Sequence, residues 1–122
     1  MSHNFAGNST TTVMIAAVSA ANTAAATSAA VDLKDYEGAM IIVQNHGLGT
    51  GTLDGKIQDS ADGSTGWADV TGAVFTQSTT TADCKAIALQ SKQCKQFIKY
   101  VGTIVTGPQL VGVSITGVKK TV

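Results

Sequence analysis

The sequence of 122 residues contains no arginine and a single glutamate. Its eight lysines balance eight acidic residues, and charged residues make up only 13% of the chain. Nucleic-acid binding draws much of its free energy from clustered basic side chains and from stacking on aromatic rings. Aromatic residues are also scarce, at 5%, so we expect no nucleic-acid partner. So little charge suggests that part of the surface is covered by something other than water.

Cysteine is almost absent too, with only Cys84 and Cys94 in the chain. If residues 90–93 form the turn of a hairpin, residue 94 lies opposite 89 and residue 84 opposite 99. The two cysteines are then several pairs apart, beyond the Cα separation of about 7 Å that a disulfide allows. We therefore predict two free, half-buried thiols, which is typical of a protein assembled in a reducing cytoplasm.

Targeting signals are missing from the amino-terminal region. No lysine or arginine precedes Lys34, so we expect no positive segment of a secretory signal. The uncharged run over residues 10–30 is interrupted by Thr, Ser and Asn, which makes it too polar for a transmembrane helix. The sequence predicts a soluble, unexported protein with no membrane partner.

The patterns that carry chemistry are also lacking. His3 and His46 have no Cys, His or carboxylate at metal-ligand spacing. The run "GLGTG" (residues 47–51) is not followed by the helix that a phosphate-binding loop requires. "DSADG" (residues 59–63) lacks the alternating acids of a calcium loop, so it indicates a hairpin turn. We predict no enzymatic activity, no metal site and no cofactor.

The distribution of charged residues divides the chain after residue 30. Residues 1–30 contain no Asp, Glu, Lys or Arg. Within them "TTVMIAAV" (residues 11–18) has strand character, and the small residues 19–30 indicate an extended connector. We interpret residues 1–30 as an amino-terminal arm and residues 31–122 as a β-sandwich domain.

The sandwich prediction comes from short strand patterns separated by turn residues. Seven such patterns plus the arm strand give about eight strands with no convincing helix. This favours an all-β, two-sheet β-sandwich of immunoglobulin-like or jelly-roll type. The predicted strands after the arm cover residues 39–44, 52–59, 67–70, 73–77, 84–90, 96–105 and 109–118.

The predicted strands over residues 39–44 and 96–105 carry apolar side chains on both faces. A two-layer sandwich, however, buries only one face of each sheet. The second faces need cover from the arm folding back, from a neighbouring copy, or from a different protein. We predict an interface, with the capsid or between copies, made by Val13, Ile15, Val18, Ile41, Val43, Phe97 and Val101.

Trp67 is the only tryptophan, and it follows a polar turn at the start of a strand. We interpret it as an aromatic plug that closes one end of the core. The alternative, a sugar-stacking platform, would need several exposed aromatic rings. The other predicted core anchors are Tyr36, Ile57, Ile98, Tyr100 and Val113.

Residues 31–119 resemble a family of small tailed-phage and prophage virion proteins. The resemblance is carried by an Asp-Leu-x-x-Tyr-x-Gly opening, a Gln-(Glu/Asp)-Ser strand end, an Asp-Gly-Ser turn before a tryptophan, and a later aromatic and basic strand. Gly66, inserted before Trp67, and the absence of arginine depart from the family pattern. The matching residues are Asp32, Leu33, Tyr36, Gly38, Gln58, Asp59, Ser60, Asp62, Gly63, Ser64, Trp67, Phe97, Ile98 and Lys99.

The resemblance implies a capsid decoration, or cement, protein on the virion surface, assembled in the host bacterial cytoplasm. Its partners would be the major capsid protein and further copies of itself, as dimers or trimers. The arm would add a strand to a neighbour or lie along the capsid. The competing hypothesis is a head-fibre or tail module that binds host-surface glycan through the loops near His46 and Trp67.

Overall fold

The computed structural model describes residues 9–119 and contains eight strands and one short 3₁₀ turn, Ser91–Gln93. All strand pairings are antiparallel, in two four-stranded sheets. The first sheet has the order β1-β8-β3-β6 and the second β2-β7-β4-β5, which confirms the predicted two-sheet β-sandwich. The strands are β1 Ser9–Ala20, β2 Val31–Asp32, β3 Tyr36–Gly49, β4 Thr52–Ser60, β5 Ala68–Val74, β6 Asp83–Gln90, β7 Phe97–Val105 and β8 Gln109–Lys119.

Strand boundaries differ from the prediction mainly where glycine lies within a strand. The Gly-rich run taken as a loop continues β3 to Gly49, and only residues 50–51 turn the chain into β4. A side chain at Gly51 would collide with the backbone oxygens of Val105 and Thr106, so the tight turn requires glycine there. Residues 67–70 and 73–77 were predicted as two strands, but the structure has one strand there, β5, which ends at Val74 and has an irregular register opposite β4.

The predicted arm lies against the chain's own sandwich. Strand β1 pairs with β8 along its length, from Ser9 opposite Val118 to Ala20 opposite Gln109. In the connector, the Ser28 N–H donates to the Tyr100 carbonyl at 2.9 Å. Residues 9–30 therefore contain the expected strand, and a connector that turns over residues 22–26 instead of staying extended. Both belong to the sandwich and do not reach away from it. The rest of the predicted arm, including His3, lies outside the described residues, as do residues 120–122.

The core lies between the sheets and is built from their inward-facing aliphatic and aromatic side chains. The rings of Phe75 and Tyr100 meet edge to face with centroids 6.0 Å apart. Five of the six predicted core anchors are buried here: Tyr36, Ile57, Ile98, Tyr100 and Val113. Trp67 is not among the buried residues, so its assignment as a core plug is corrected.

A buried polar network, which the sequence patterns did not indicate, fixes the segment that crosses from β5 to β6. The Tyr100 hydroxyl donates to Gln44 Oε1, and Gln44 Nε2 donates to Ser78 Oγ at 3.4 Å. Ser78 in turn donates to Asp83 at 3.0 Å, and Lys85 Nζ donates to both at 3.0 Å. Partial burial opposes ionisation of Asp83, but the hydrogen bonds from Lys85 and Ser78 outweigh it and lower its pKa.

A second polar cluster surrounds Gln109, which is fully buried. Gln109 Nε2 lies 2.9 Å from His46 Nε2 and donates to the Thr79 carbonyl at 2.9 Å, while its Oε1 accepts the Gly51 N–H at 2.8 Å. Because Gln109 donates to Nε2, that nitrogen is the acceptor and His46 Nδ1 is protonated. Nδ1 then donates to the Thr81 carbonyl at 3.1 Å. His46 is therefore a structural residue of the core rim.

Candidate interaction surface

The outer face of the first sheet carries no acidic, basic or histidine side chain among the described residues that the strand register places on it. Threonine and serine are its main polar residues, and the rest are small or apolar. Such a face has no ionic group to desolvate when another protein covers it. We call it the uncharged face; its residues are Thr11, Val13, Ile41, Val43, Asn45, Cys84, Ala86, Ala88, Leu110, Gly112, Ser114 and Thr116.

Large apolar side chains remain exposed on this sheet. Val13 is 63% exposed, Ile41 46% and Leu110 45%, and Leu48, close to the β3–β4 turn, is 67% exposed. Leu48 and Leu110 were not predicted as contact residues. The alternation in β8, with Val111 and Val113 inward, would have assigned Leu110 to the outer face.

An open apolar groove runs over β8 on this face, beside the edge strand β1. Its two cavities have volumes of about 510 Å³ and about 200 Å³ and share Ala17, Asn45 and Gly112 in their linings. Gly112 leaves the floor of the groove shallow because it has no side chain. Asn45 and Ser19 are exposed polar residues at its border, and the buried His46 also lines the larger cavity. The groove can therefore receive apolar side chains from a facing protein surface.

The outer face of the second sheet is different because it carries paired charges. Lys56 and Asp69 form an ion pair at 3.1 Å, and Gln58 donates to Asp69 at 2.9 Å. The hydrogen bond from Gln58, followed by that from Lys56, lowers the pKa of Asp69. Lys99 lies over the Trp67 ring, with Nζ 4.5 Å from the centroid. This face has its polar groups partnered in the manner of a solvated surface.

The residues predicted as an interface are divided between the two sheets. Val13, Val18 and Ile41 are exposed on the first sheet, and Val43 is half-buried on the same face as Ile41. Ile15 is buried, because a register shift after Val13 places it opposite the inward-facing Val113. Phe97 and Val101 lie on the outer face of the second sheet and are only half-buried.

The chain itself supplies part of the cover over Phe97. The hairpin turn after β4 lies over its ring, so close that a Cβ at Gly63 would be 3.0 Å from the ring atoms. The turn is held by Asp62, whose carboxylate accepts hydrogen bonds from the N–H groups of Ser64 and Thr65, at 2.9 and 2.8 Å. The Thr65 and Ser64 N–H bonds lower the pKa of Asp62 well below its usual range. This region is thus a hairpin turn, as the sequence indicated.

Trp67 is half-buried on the outer face of the second sheet, beside Lys99. Its ring forms a surface contact with a cation, so its removal opens no cavity between the sheets. We expect Trp67→Ala to lower the free energy of unfolding by about 1–2 kcal/mol, below the range of about 3–5 kcal/mol for truncating a core aromatic. Urea denaturation measures this difference, and a loss in the core range would contradict the assignment.

Both cysteines are free, and they occupy unlike environments. Cys84 is exposed on the uncharged face, which corrects the prediction that it is half-buried. Cys94 is half-buried, and burial, followed by the nearby Asp59 charge, raises the pKa of its thiol. A further cavity of about 440 Å³ is lined in part by Cys94, Tyr36, Lys34 and Lys95. Within residues 9–119, no three His, Cys, Asp or Glu side chains are grouped closely enough to hold a metal ion.

The described part of the chain also contains no helix of the length and hydropathy needed to cross a membrane.

No protein family matches the sequence, and no curated protein matches it. Among solved structures, the chain is similar to the SPBc2 prophage-derived protein YomS, with 12% identity and a TM-score of 0.53. That alignment covers 92% of this chain and 94% of YomS.

A weaker likeness is to the coat protein dimer of Tobacco streak virus, with 8% identity and a TM-score of 0.43 over 95% of this chain and 90% of that chain. At 12% identity, the likeness to YomS shows a shared fold. The fold of this chain is therefore one that a prophage-derived protein also adopts.

Proposed function

We propose that this protein is a structural component of a phage virion, a decoration or cement protein that self-associates and binds the major capsid protein lattice. The observation that carries the proposal is the uncharged face, where a four-stranded sheet presents apolar and small side chains outward. Monomeric proteins seldom leave such a continuous surface uncovered, and large exposed apolar patches are typical of protein contacts.

The free energy available from covering this face is substantial. Three large aliphatic side chains of the uncharged face are 45–63% exposed: Val13, Ile41 and Leu110. Burying what remains exposed of them contributes on the order of 5 kcal/mol, at about 25 cal/mol per Å² of apolar area. This is large enough to hold a subunit on a lattice where many copies bind together.

A cementing role follows from mass action. A protein that binds only the assembled lattice shifts the equilibrium toward the assembled state and stabilises it. In this chain the contact surface is a preformed sheet face, because β1 already pairs with β8. The proposal therefore does not depend on an arm that becomes ordered on binding.

The competing glycan-recognition hypothesis finds no support in the placement of its residues. His46 is 3% exposed and has both ring nitrogens in hydrogen bonds within the chain. Trp67 belongs to the other sheet and lies against Lys99. These two residues therefore do not lie together on one surface where a glycan could bind both.

We expect Ile41→Lys to abolish most binding to decoration-free capsid particles, because a lysine in the centre of the uncharged face must be desolvated without a partner. Val74→Lys is the matched control, since Val74 is 62% exposed but lies on the second sheet. Co-sedimentation with the particles and their resistance to heating measure the effect. Equal loss of binding in both variants, or in neither, would contradict the proposal.

A further inference from the structure

The uncharged face has a corrugated profile in the order of its strands. In its central rows, the bulky side chains are Val13 on β1 and Ile41 and Val43 on β3. The strands β8 and β6 carry smaller side chains there: Gly112 and Ser114 on β8, and Cys84, Ala86 and Ala88 on β6. Thr116, which is close to valine in size, ends the β8 furrow. Across the order β1-β8-β3-β6, the face therefore alternates ridge, furrow, ridge, furrow. The groove over β8 is the first of these furrows.

This alternation is self-complementary under one rotation. A two-fold axis parallel to the strands, in the plane between two facing copies, reverses the strand order of one copy relative to the other. Each β3 ridge then lies over the β8 furrow of the other copy, and each β1 ridge lies over a β6 furrow. Such a contact is isologous, so both copies fill their furrows at once.

Charge and size also suit a second copy. Two like faces repel one another when they carry net charge, and the described residues on this face carry none. Four strands about 4.8 Å apart and about 30 Å long span roughly 600 Å² in projection, comparable to the about 800 Å² of accessible surface per partner in a standard interface. Sheets pack face to face about 10 Å apart in many sandwiches, so the geometry is an ordinary one.

We propose that two copies of this chain form a dimer by packing their uncharged faces together, with β3 of each copy on β8 of the other. This inference rests on the proposed function and names a second copy as the partner of the uncharged face in solution; a copy that binds the capsid exchanges this contact for one with the lattice. The dimer then presents its two second-sheet faces, with their paired charges, outward.

The first test is the mass of the purified protein in solution, measured by light scattering after size exclusion across a wide range of concentration. We expect a dimer for the wild type and for Val74→Lys, and a monomer for Ile41→Lys.

The exposed thiol of Cys84 on this face provides a second readout. We expect its maleimide labelling to be roughly tenfold or more slower in the wild type than in Ile41→Lys, because only the dissociated fraction reacts. Labelling of the half-buried Cys94 serves as the internal reference.

A charge-pair experiment tests the predicted strand contact. Because β3 of one copy lies on β8 of the other, Ile41→Lys and Thr116→Glu should each be monomeric alone but form a heterodimer when mixed. Circular dichroism checks that both variants fold. Failure of the mixed pair to associate, when the wild type is a dimer, would overturn the β3-on-β8 arrangement.

The outcomes for the dimer and for the proposed function are separable. A wild-type protein that remains monomeric with a fully reactive Cys84, yet decorates particles, would overturn the dimer and leave the proposed function standing. A dimer with a protected Cys84 that never binds capsid particles would support the inference and refute the proposed function. A dimer that persists in Ile41→Lys with Cys84 reactive would place the contact elsewhere and overturn the inference.

Discussion

Replacing Gln109 with alanine is expected to lower the free energy of unfolding by about 3–4 kcal/mol, the larger end of single-substitution effects. Gln109 is fully buried, and its amide serves the His46 ring, the Thr79 carbonyl and the Gly51 N–H. The variant removes one side chain but leaves three polar groups without their partner. An unsatisfied buried group costs about 1–3 kcal/mol. The His46 ring is buried, whereas the Thr79 and Gly51 backbone groups are only partly buried, so water recovers part of their loss.

Gln77→Ala is the matched control for Gln109→Ala. Gln77 also donates through its side-chain amide, to Asp54 at 3.1 and 3.2 Å, but it is exposed. We expect its substitution to change stability by no more than about 0.5 kcal/mol, as for most surface positions. Chemical denaturation of both variants measures the contrast, and similar small losses would show that the buried cluster contributes little.

Replacing Tyr100 with alanine is expected to cost about 4–5 kcal/mol, because Tyr100 is a fully buried aromatic residue at the centre of the sandwich. Tyr100→Phe keeps the ring and its contact with Phe75 but removes the donor to Gln44. That variant should lose about 1–3 kcal/mol, since Gln44 is also fully buried and loses its partner.

A double substitution separates the hydrogen bond from the packing at this site. In Tyr100→Phe combined with Gln44→Leu, neither partner is left unsatisfied, so the pair should be more stable than the sum of the single losses implies. Additive losses in the double-mutant cycle would show that the Tyr100–Gln44 hydrogen bond contributes nothing to stability.

Tyr100 also gives the protein an alkaline limit. Burial, with a smaller contribution from the Asp54 charge, raises the pKa of Tyr100 above its ordinary value of about 10. Because the folded state holds this proton more tightly than the unfolded state, the stabilisation is complete below pH about 10 and declines as the pH rises further. The wild type should therefore lose stability above that pH more steeply than Tyr100→Phe, as measured by unfolding at a series of alkaline pH values.

The local patterns of the sequence predicted the elements well wherever strand alternation was regular. Leu53 and Ile57 alternate with polar residues in β4 and are fully buried, as period-2 patterning requires. Alternation failed for Ile15, because a register shift in an edge strand changes which face a side chain meets without changing the sequence pattern. It also gave no warning of Gln44 and Gln109, whose burial depends on partners 30 to 63 residues away.

Trp67 shows the same division between local and distant information. Its position after a polar turn and at the start of a strand was readable from the residues around it. The side of the sheet on which the ring lies is set by its contact with Lys99. Lys99 belongs to β7, which is distant from Trp67 in the sequence. Trp67 was predicted to be a core residue because large aromatic side chains tend to be buried. In the structure its ring instead packs against a lysine on the outer face of the second sheet.

The sequence alone determined that this chain is an all-β protein, poor in charge and in aromatic rings, with more outward apolar side chains than one sandwich can bury. Those properties are set by composition and by a two-residue period, which act within each strand. The tertiary structure decided that β1 belongs to the chain's own first sheet, and that the uncovered surface is one continuous face while the other sheet carries paired charges. These features depend on which strands pair with one another. Pairing between residues as distant as Ser9 and Val118 is governed by the packing of the whole fold and not by any local pattern.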